Sequence, residues 1–207
     1  MTKDQENDEK QNTRCRIIDA GIRLFGLKGF SATSTREICK LANVNIASLN
    51  YHFRSKENLL QEVNSQIICE FKARVDQTSI ENIKTTKEFA ERVFRMFAED
   101  GPRFLNQFKI FIDADQLPAS LKEDRVPPGH EKMYLFLRKE LNPGVPDEEL
   151  LWANSMIFGY LVHMALMISS PVGREAIAKH YPNQEEDIVK NMNKLIDMII
   201  RDLNARY

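Results

Sequence analysis

The chemistry this chain could perform is concentrated in residues 46–53, where small or hydrogen-bonding side chains follow one another without a fixed charge. They are Ala47, Ser48, Asn50, Tyr51 and His52. A helix face of this kind can approach a partner closely and exchange hydrogen bonds with it, as when an α-helix reads base edges in the major groove of DNA. The segment therefore indicates a recognition surface, with Leu49 and Phe53 as its inward anchors.

The residues on either side predict how this segment is held. Ser34 and Glu37 have the S-x-x-E spacing of a capping box, which starts a helix near residue 35. Asn43 and Asn45 suit a sharp bend, because Asn tolerates a left-handed backbone and also caps helix N-termini. The helix over 46–53 is too short to be stable alone. Helix, short turn and helix is the geometry that lays the second helix in the major groove.

The order and spacing of these residues resemble the DNA-binding segment of TetR-family transcriptional regulators. The similarity covers residues 33–60 and rests on residues 35–38 (TREI) and 51–57 (YHFRSKE). Two positions depart from the family pattern: Asn43 stands where Gly is common, and Asn50 stands where Tyr is common. Residues 45–53 (NIASLNYHF) are similar to a subgroup that includes CecR-type regulators, so base preference is not transferable from the better-known members.

The resemblance implies an all-α fold, with an N-terminal three-helix helix-turn-helix domain and a helical ligand-binding and dimerisation domain. It implies a homodimer formed through the last two long helices, a palindromic DNA operator, a small-molecule effector that releases the DNA, and no cofactor. By the family's pattern, one set of side chains would grip phosphates: Thr35, Arg36, Tyr51, His52 and Lys56. A second set would face bases: Ala47, Ser48 and Asn50.

Asn50 is the candidate for reading adenine, since its amide can give and take one hydrogen bond at the adenine edge. The alternatives for Asn50 are a helix C-terminal cap or a phosphate contact. The alternative for Tyr51 is packing against the rest of the DNA-binding domain. Arg14 and Arg16 could reach a phosphate or the minor groove, or could be exposed solubilising residues.

Charge divides the chain unevenly, although the formal net charge is only −1. Residues 10–56 carry nine Lys and Arg against two Asp and Glu, whereas residues 1–9 and 57–207 are both net acidic. A basic first quarter is what phosphate contacts require. An unevenly charged but merely solvated surface is the alternative.

Three segments follow from composition and periodicity. Residues 1–12 contain one apolar residue and are predicted to be a disordered tail. Residues 13–56 would form the DNA-binding domain. Over residues 57–207 apolar residues recur every three or four positions, which predicts helices, and the resemblance implies that this part is the effector-binding and dimerisation domain. Residues 117–129 hold three prolines and predict an irregular loop.

The helical body is rich in side chains that could line a pocket for an apolar or aromatic ligand. These are Phe104, Phe108, Phe111, Phe136, Trp152, Met156, Tyr160, His163 and Met167. From Trp152 onward they step by four, four, three and four, so they share one helix face. The alternative is that most of them are core. The broad apolar faces of the last two long helices predict a dimer interface, for which the candidate residues are Leu150, Asn154, Ile157, Leu161, Ile188, Met192, Leu195 and Ile199.

Residues 150–169 contain no Asp, Glu, Lys or Arg and are long enough to cross a bilayer. Against a membrane span stand Asn154, Gly159 and His163 within the segment, and the acidic turn at 147–149. We therefore interpret it as a helix buried on all sides, between its own body and a partner subunit. A membrane-associated helical protein is the alternative.

Other classes of function find little support. We find no G-x-S-x-G, H-E-x-x-H or Walker-type motif, and His130, His163 and His180 lack metal-ligand spacing, which argues against an enzyme or a metal site. Cys15, Cys39 and Cys69 show no C-x-x-C pattern. The amino terminus lacks a secretory signal, which favours the cytoplasm. A ligand-independent regulator, an activator, a redox sensor and a helical enzyme without a recognisable motif remain alternatives.

Overall fold

A computed structural model describes residues 3–77, 83–112 and 129–207. Within these ranges every regular element is an α-helix, as predicted. The predicted loop over 117–129 lies outside the described residues except for Gly129. In chain order the helices are α1 Lys3–Lys28, α2 Thr35–Ala42, α3 Ile46–Phe53, α4 Lys56–Gln77, α5 Thr86–Glu99, α6 Gly101–Ile112, α7 His130–Glu140, α8 Asp147–Ser169, α9 Pro171–Ile177 and α10 Gln184–Arg206.

Helix α1 begins at Lys3, so residues 3–12 of the predicted tail are helical in the structure. The apolar face that starts at Ile17 and Ile18 nucleates the helix, because both side chains are buried. Extending a helix that is already nucleated costs far less than starting one. A polar stretch with several good helix formers therefore continues α1 toward its N-terminus.

The chain divides into two compact units. Of the described residues, the first unit contains 3–69 and 105–112, and the second contains 70–77, 83–104 and 129–207. The division between these units falls inside α4, after Cys69. Residues 105–112 belong with the first unit because they pack on α1: a Cβ atom added to Gly26 would lie 2.7 Å from the Cβ of Asn106.

The first unit is built around side chains that converge from α1, α2, α3 and the start of α4. Each of these is buried: Ile17, Ile38, Leu49, Phe53, Leu59, Leu60 and Val63. Their burial fixes the short helix α3, which lacks the length to be stable by itself.

In the second unit α8 is the central helix, in contact with α5, α7, α9 and α10. By length and composition α8 could span a bilayer. Ten of its 23 residues are buried within the unit, however, and its first turn carries Asp147, Glu148 and Glu149. Helix α8 therefore has the features of a core helix and does not indicate a membrane span.

A polar pair, Asn154 and the half-buried His130, joins α8 to the start of α7. The Asn154 side chain is fully buried, and its amide nitrogen donates to the His130 carbonyl oxygen over 3.1 Å. The same nitrogen lies 2.9 Å from His130 Nε2. Since an amide nitrogen only donates, Nε2 must accept, which requires a neutral ring with its proton on Nδ1. Burial lowers the pKa of His130, which favours this neutral form.

Acidification should therefore destabilise the protein through His130. Because its pKa is lowered by folding, the unfolded chain binds the proton more readily, and stability is lost as pH falls below about 6.5. The contribution is at most about 1.4 kcal/mol per pH unit. We expect the free energy of unfolding, measured in urea between pH 7.5 and 5.5, to fall less steeply in His130→Gln than in the wild type. Equal slopes of the free energy of unfolding against pH in the two proteins would contradict the assignment of a neutral His130 ring.

Candidate nucleic-acid interface

The predicted capping box at the start of α2 is confirmed. The Glu37 backbone N–H donates to Ser34 Oγ over 3.3 Å, and the Ser34 backbone N–H donates to Glu37 Oε2 over 2.9 Å. Lys28, at the end of α1, donates to the other carboxylate oxygen of Glu37. The hydrogen bonds from Lys28 and then Ser34 lower the pKa of Glu37 to about 2. One carboxylate thus ties the ends of α1 and α2 together.

The bend between α2 and α3 also follows the prediction. Asn43 adopts a left-handed backbone with φ 52°, and Asn45 Oδ1 accepts from the Ser48 backbone N–H over 2.7 Å. After α3, Arg54 has a positive φ of 64°, and Ser55 Oγ accepts from the Asn58 backbone N–H over 3.1 Å, as expected for the cap of α4. Both ends of α3 are therefore set by the chain's own local hydrogen bonds.

Arg14 holds α3 from the side of α1. Its guanidinium lies 5.6 Å from the centre of the Phe53 ring and forms an ion pair with Glu62 on α4. Arg14 is thus engaged within the first unit and is not directed at a partner. Arg16, two residues further along α1, is exposed.

The surface of α3 presents a mixture of exposed and half-buried positions. Ala47 and Asn50 are exposed, and the Tyr51 side chain is 70% exposed. Ser48 and His52 are half-buried. Both line a cavity of about 450 Å³ between α3 and the Glu9–Lys10 turn of α1. Burial, with smaller contributions from Arg14 and Lys10, lowers the pKa of His52 and keeps the face of α3 uncharged near neutral pH.

Ile46 is a residue that the sequence analysis passed over. It is the first residue of α3, and its side chain is 44% exposed. Helical spacing alone does not predict this exposure, since Ile46, Leu49 and Phe53 stand at i, i+3 and i+7 and share one side of the helix.

Lys56 was predicted to grip a phosphate, but its ammonium is engaged elsewhere. It donates to the carbonyl oxygens of Phe30 over 3.0 Å and of Thr33 over 2.9 Å, and it lies 4.1 Å from the centre of the Phe30 ring. Lys56 therefore closes the turn between α1 and α2. Of the other predicted phosphate contacts, Arg36 is exposed and Thr35 is half-buried.

Burial within the chain differs between the residues predicted for the dimer interface and those predicted for the pocket. Among the residues predicted for a dimer interface, most are buried inside the single chain and have no surface to offer a partner: Leu150, Asn154, Ile157, Leu161, Ile188, Met192 and Ile199. Leu195 is half-buried. Conversely, Trp152 is 52% exposed and Met156 is 47% exposed, although both were predicted to line a pocket. Because both faces are apolar, hydropathy did not distinguish inside from outside.

The remaining predicted pocket residues do not form one cluster. Phe104 stacks on Phe97 with a ring-centre distance of 4.3 Å, and Phe136 stacks on Phe89 at 5.1 Å. His163 is exposed, while Tyr160 and Met167 are half-buried. Phe108 belongs to the first unit, and the side chain of Phe111 lies outside the description.

No group of His, Cys, Asp or Glu suited to a metal ion is found in the part of the chain that the structure describes. The three cysteines are free thiols; Cys39 is buried, and Cys15 and Cys69 are exposed.

The contacts of Lys56 predict a structural role that can be separated from phosphate binding. Lys56→Met should lower the free energy of unfolding by about 1–3 kcal/mol, because two carbonyl groups lose a charged donor. It should leave the salt dependence of any DNA binding unchanged. Lys40→Met, at an exposed lysine of the same unit, should leave the melting temperature unchanged. If Lys56→Met reduced the salt dependence of DNA binding without lowering stability, Lys56 would be a phosphate contact and the structural role would be contradicted.

Comparison with known proteins agrees with this geometry. Residues 17–63 match the model of the bacterial regulatory proteins of the TetR family. Over 76 residues the chain is 40% identical to the probable HTH-type transcriptional regulator YttP of Bacillus subtilis. This matched segment covers 37% of this chain and 36% of that relative. The chain thus spans only about a third of the length of this curated relative.

Two solved structures share the fold over most of the chain. A TetR family transcription regulator from Marinobacter aquaeolei VT8 has a TM-score of 0.66 at 16% identity, covering 92% of this chain and 97% of that one. The regulator FadR from Bacillus subtilis, solved with stearoyl-CoA, has a TM-score of 0.61 at 19% identity, covering 90% of this chain and 97% of that one. Residues 17–63 therefore match the helix-turn-helix segment of this family, and the chain shares its overall fold with the two solved regulators.

Proposed function

We propose that this protein is a sequence-specific transcriptional regulator, most simply a repressor, that binds a palindromic DNA operator as a homodimer. The observation that carries the proposal is α3: eight residues capped by Asn45, anchored through Leu49 and Phe53, and exposing uncharged hydrogen-bonding groups. The excess of Lys and Arg over residues 10–56 supplies the attraction to phosphate. The family match over residues 17–63 supports the same function.

Three exposed residues of α3 would read bases. Asn50 would pair with adenine through its amide, and Ala47 would allow close approach. Ile46 would contact the methyl group of thymine, since it is an apolar side chain exposed at the start of the helix. Phosphate contacts would come from Thr35, Arg36 and Tyr51, flanking the reading face. The half-buried Ser48 and His52 would act at closer range, through a water or a phosphate.

The outward face of α8 would form the dimer. Leu151, Trp152 and Met156 are each about half exposed, and the backbone of Gly159 has open space beside it. Clustered exposed apolar side chains on one helix are a common mark of a subunit interface. A two-fold pair would present two α3 helices about one turn of DNA apart, which doubles the base contacts of one short helix.

A small apolar or aromatic molecule would release the DNA. The FadR structure, which is similar in fold, was solved with stearoyl-CoA, a ligand with a long apolar chain. The second unit contains aromatic side chains in contact, including Phe89 with Phe136. It also contains a buried acceptor, Asn154 Oδ1, without a hydrogen-bond partner among the described residues. Release would require the ligand to bind more tightly to a conformation that does not fit DNA.

DNA recognition by α3 is tested by selecting genomic fragments with the purified full-length protein. We expect enriched fragments that share an inverted repeat. Asn50→Ala should lower discrimination between a selected duplex and an unrelated one by about 1–3 kcal/mol, because the adenine contact is lost. Asn58→Ala makes the same chemical change on α4 and should retain discrimination. Failure of the wild type to enrich any fragment would overturn the proposed function.

The dimer interface is tested by placing a charge on the outward face of α8. Met156→Glu should shift the protein to a monomer in sedimentation equilibrium, since a carboxylate would have to be desolvated in the interface. It should also weaken operator binding. Leu135→Glu, at a 57% exposed apolar residue of α7 in the same unit, should leave the protein dimeric. A wild-type protein that is strictly monomeric on and off DNA would contradict the assignment.

A further inference from the structure

A cavity of about 520 Å³ lies at the junction of α1, α2 and the turn that leads into α3. Its polar lining consists of Thr13, Arg16, Lys40, Asn43, Asn45 and Ser48. Both charged groups in this lining are cations, and no carboxylate is found among the described residues that line it. The cavity is therefore a concentration of positive charge and hydrogen-bond donors.

Arg16 and Lys40 differ from three basic side chains of the same unit that have strong internal partners. Within the same unit, Arg14 is paired with Glu62, Lys28 with Glu37, and Lys56 with two carbonyl oxygens. The Arg16 guanidinium has only a long contact of 3.3 Å with the Thr13 hydroxyl. Lys40 is exposed, and its ammonium has no hydrogen bond or ion pair with the residues that the structure describes. Arg16 and Lys40 therefore have their donors available for an anion from outside.

Helical geometry explains why two nearby arginines differ. Residues two apart on an α-helix point in nearly opposite directions, at about 200°. Arg14 faces α3 and α4, whereas Arg16 faces the cavity with Lys40 of α2. The polarity of the lining matches a phosphate group, which accepts hydrogen bonds on several oxygens from cations, hydroxyl groups and amides.

The position of the cavity identifies the source of the phosphate. Thr13, Asn45 and Ser48 line both this cavity and the one that runs along α3 beside Tyr51 and His52. An anion bound between Arg16 and Lys40 would therefore lie directly next to the N-terminal end of the reading face. A backbone phosphate of DNA contacted by α3 meets this requirement.

We propose that the cavity between Arg16 and Lys40 holds one phosphodiester of the bound DNA and thereby sets the register of α3 along the groove. The inference rests on the proposed function and adds to it a site outside the phosphate contacts implied by the family's pattern. Phosphate contacts fix the position and orientation of a protein on the duplex without carrying sequence information. Loss of this contact should weaken binding by a similar factor on every sequence.

The test compares salt dependence in Arg16→Gln, Lys40→Gln and the double variant of the full-length protein. The probes are a duplex from the selected fragments and an unrelated duplex of equal length. For the double variant we expect the slope of log affinity against log salt to fall by about 0.9 for each bound subunit. Affinity at 0.1 M salt should fall roughly eightfold per subunit, equally on both duplexes. Arg23→Gln, at an exposed arginine of α1 outside the cavity lining, is the charge-matched control and should change the slope less.

Each outcome decides the proposal. Unchanged melting temperatures, a reduced slope in the double variant and recovery of the slope in Arg16→Lys would support it. A slope equal to that of Arg23→Gln would overturn it while leaving the proposed function intact. Thermal stabilisation by inorganic phosphate that the double variant loses, without a change in slope, would mean a site for a free anion and would also overturn it. Failure of the wild type to bind either duplex would overturn both.

Discussion

Burial of Leu49 and Phe53 is the interaction on which the rest of the first unit depends. Helix α3 has eight residues, which is too few for a helix to persist alone, so its exposed side is available only because its other side is anchored. The Asn45 cap and the Arg14 contact with Phe53 fix the ends and the flank of the helix. The first unit therefore serves mainly to hold α3 so that its outer side is exposed.

The positive charge of this unit is divided between two tasks. Arg14, Lys28 and Lys56 are used internally, where they hold α1 to α2, α3 and α4. Arg16 and Lys40 are directed outward into a shared cavity. Counting basic residues therefore overstates the number of phosphate contacts, because a buried or paired cation contributes to folding and adds little to the attraction for DNA.

Local features were predictable from the sequence, whereas burial was not. The capping box at Ser34 and the left-handed Asn43 depend on atoms within a few residues of one another, and both were predicted correctly. The orientation of α8 depends on which apolar face the other helices cover, and hydropathy is the same on either side. The engagement of Lys56 depends on carbonyl groups more than twenty residues away, which no local pattern reveals. The helical conformation of residues 3–12 depends on the buried face of α1 that begins at Ile17, which composition alone does not show.

The central claim is that α3 enters the major groove, and methylation protection on a selected duplex tests it most directly. Dimethyl sulfate modifies guanine N7 in the major groove and adenine N3 in the minor groove. If two copies of α3 lie in the major groove, bound protein should protect guanine N7 in two patches about 10 base pairs apart. Protection of adenine N3 alone, or of no base in a fully bound duplex, would contradict the account.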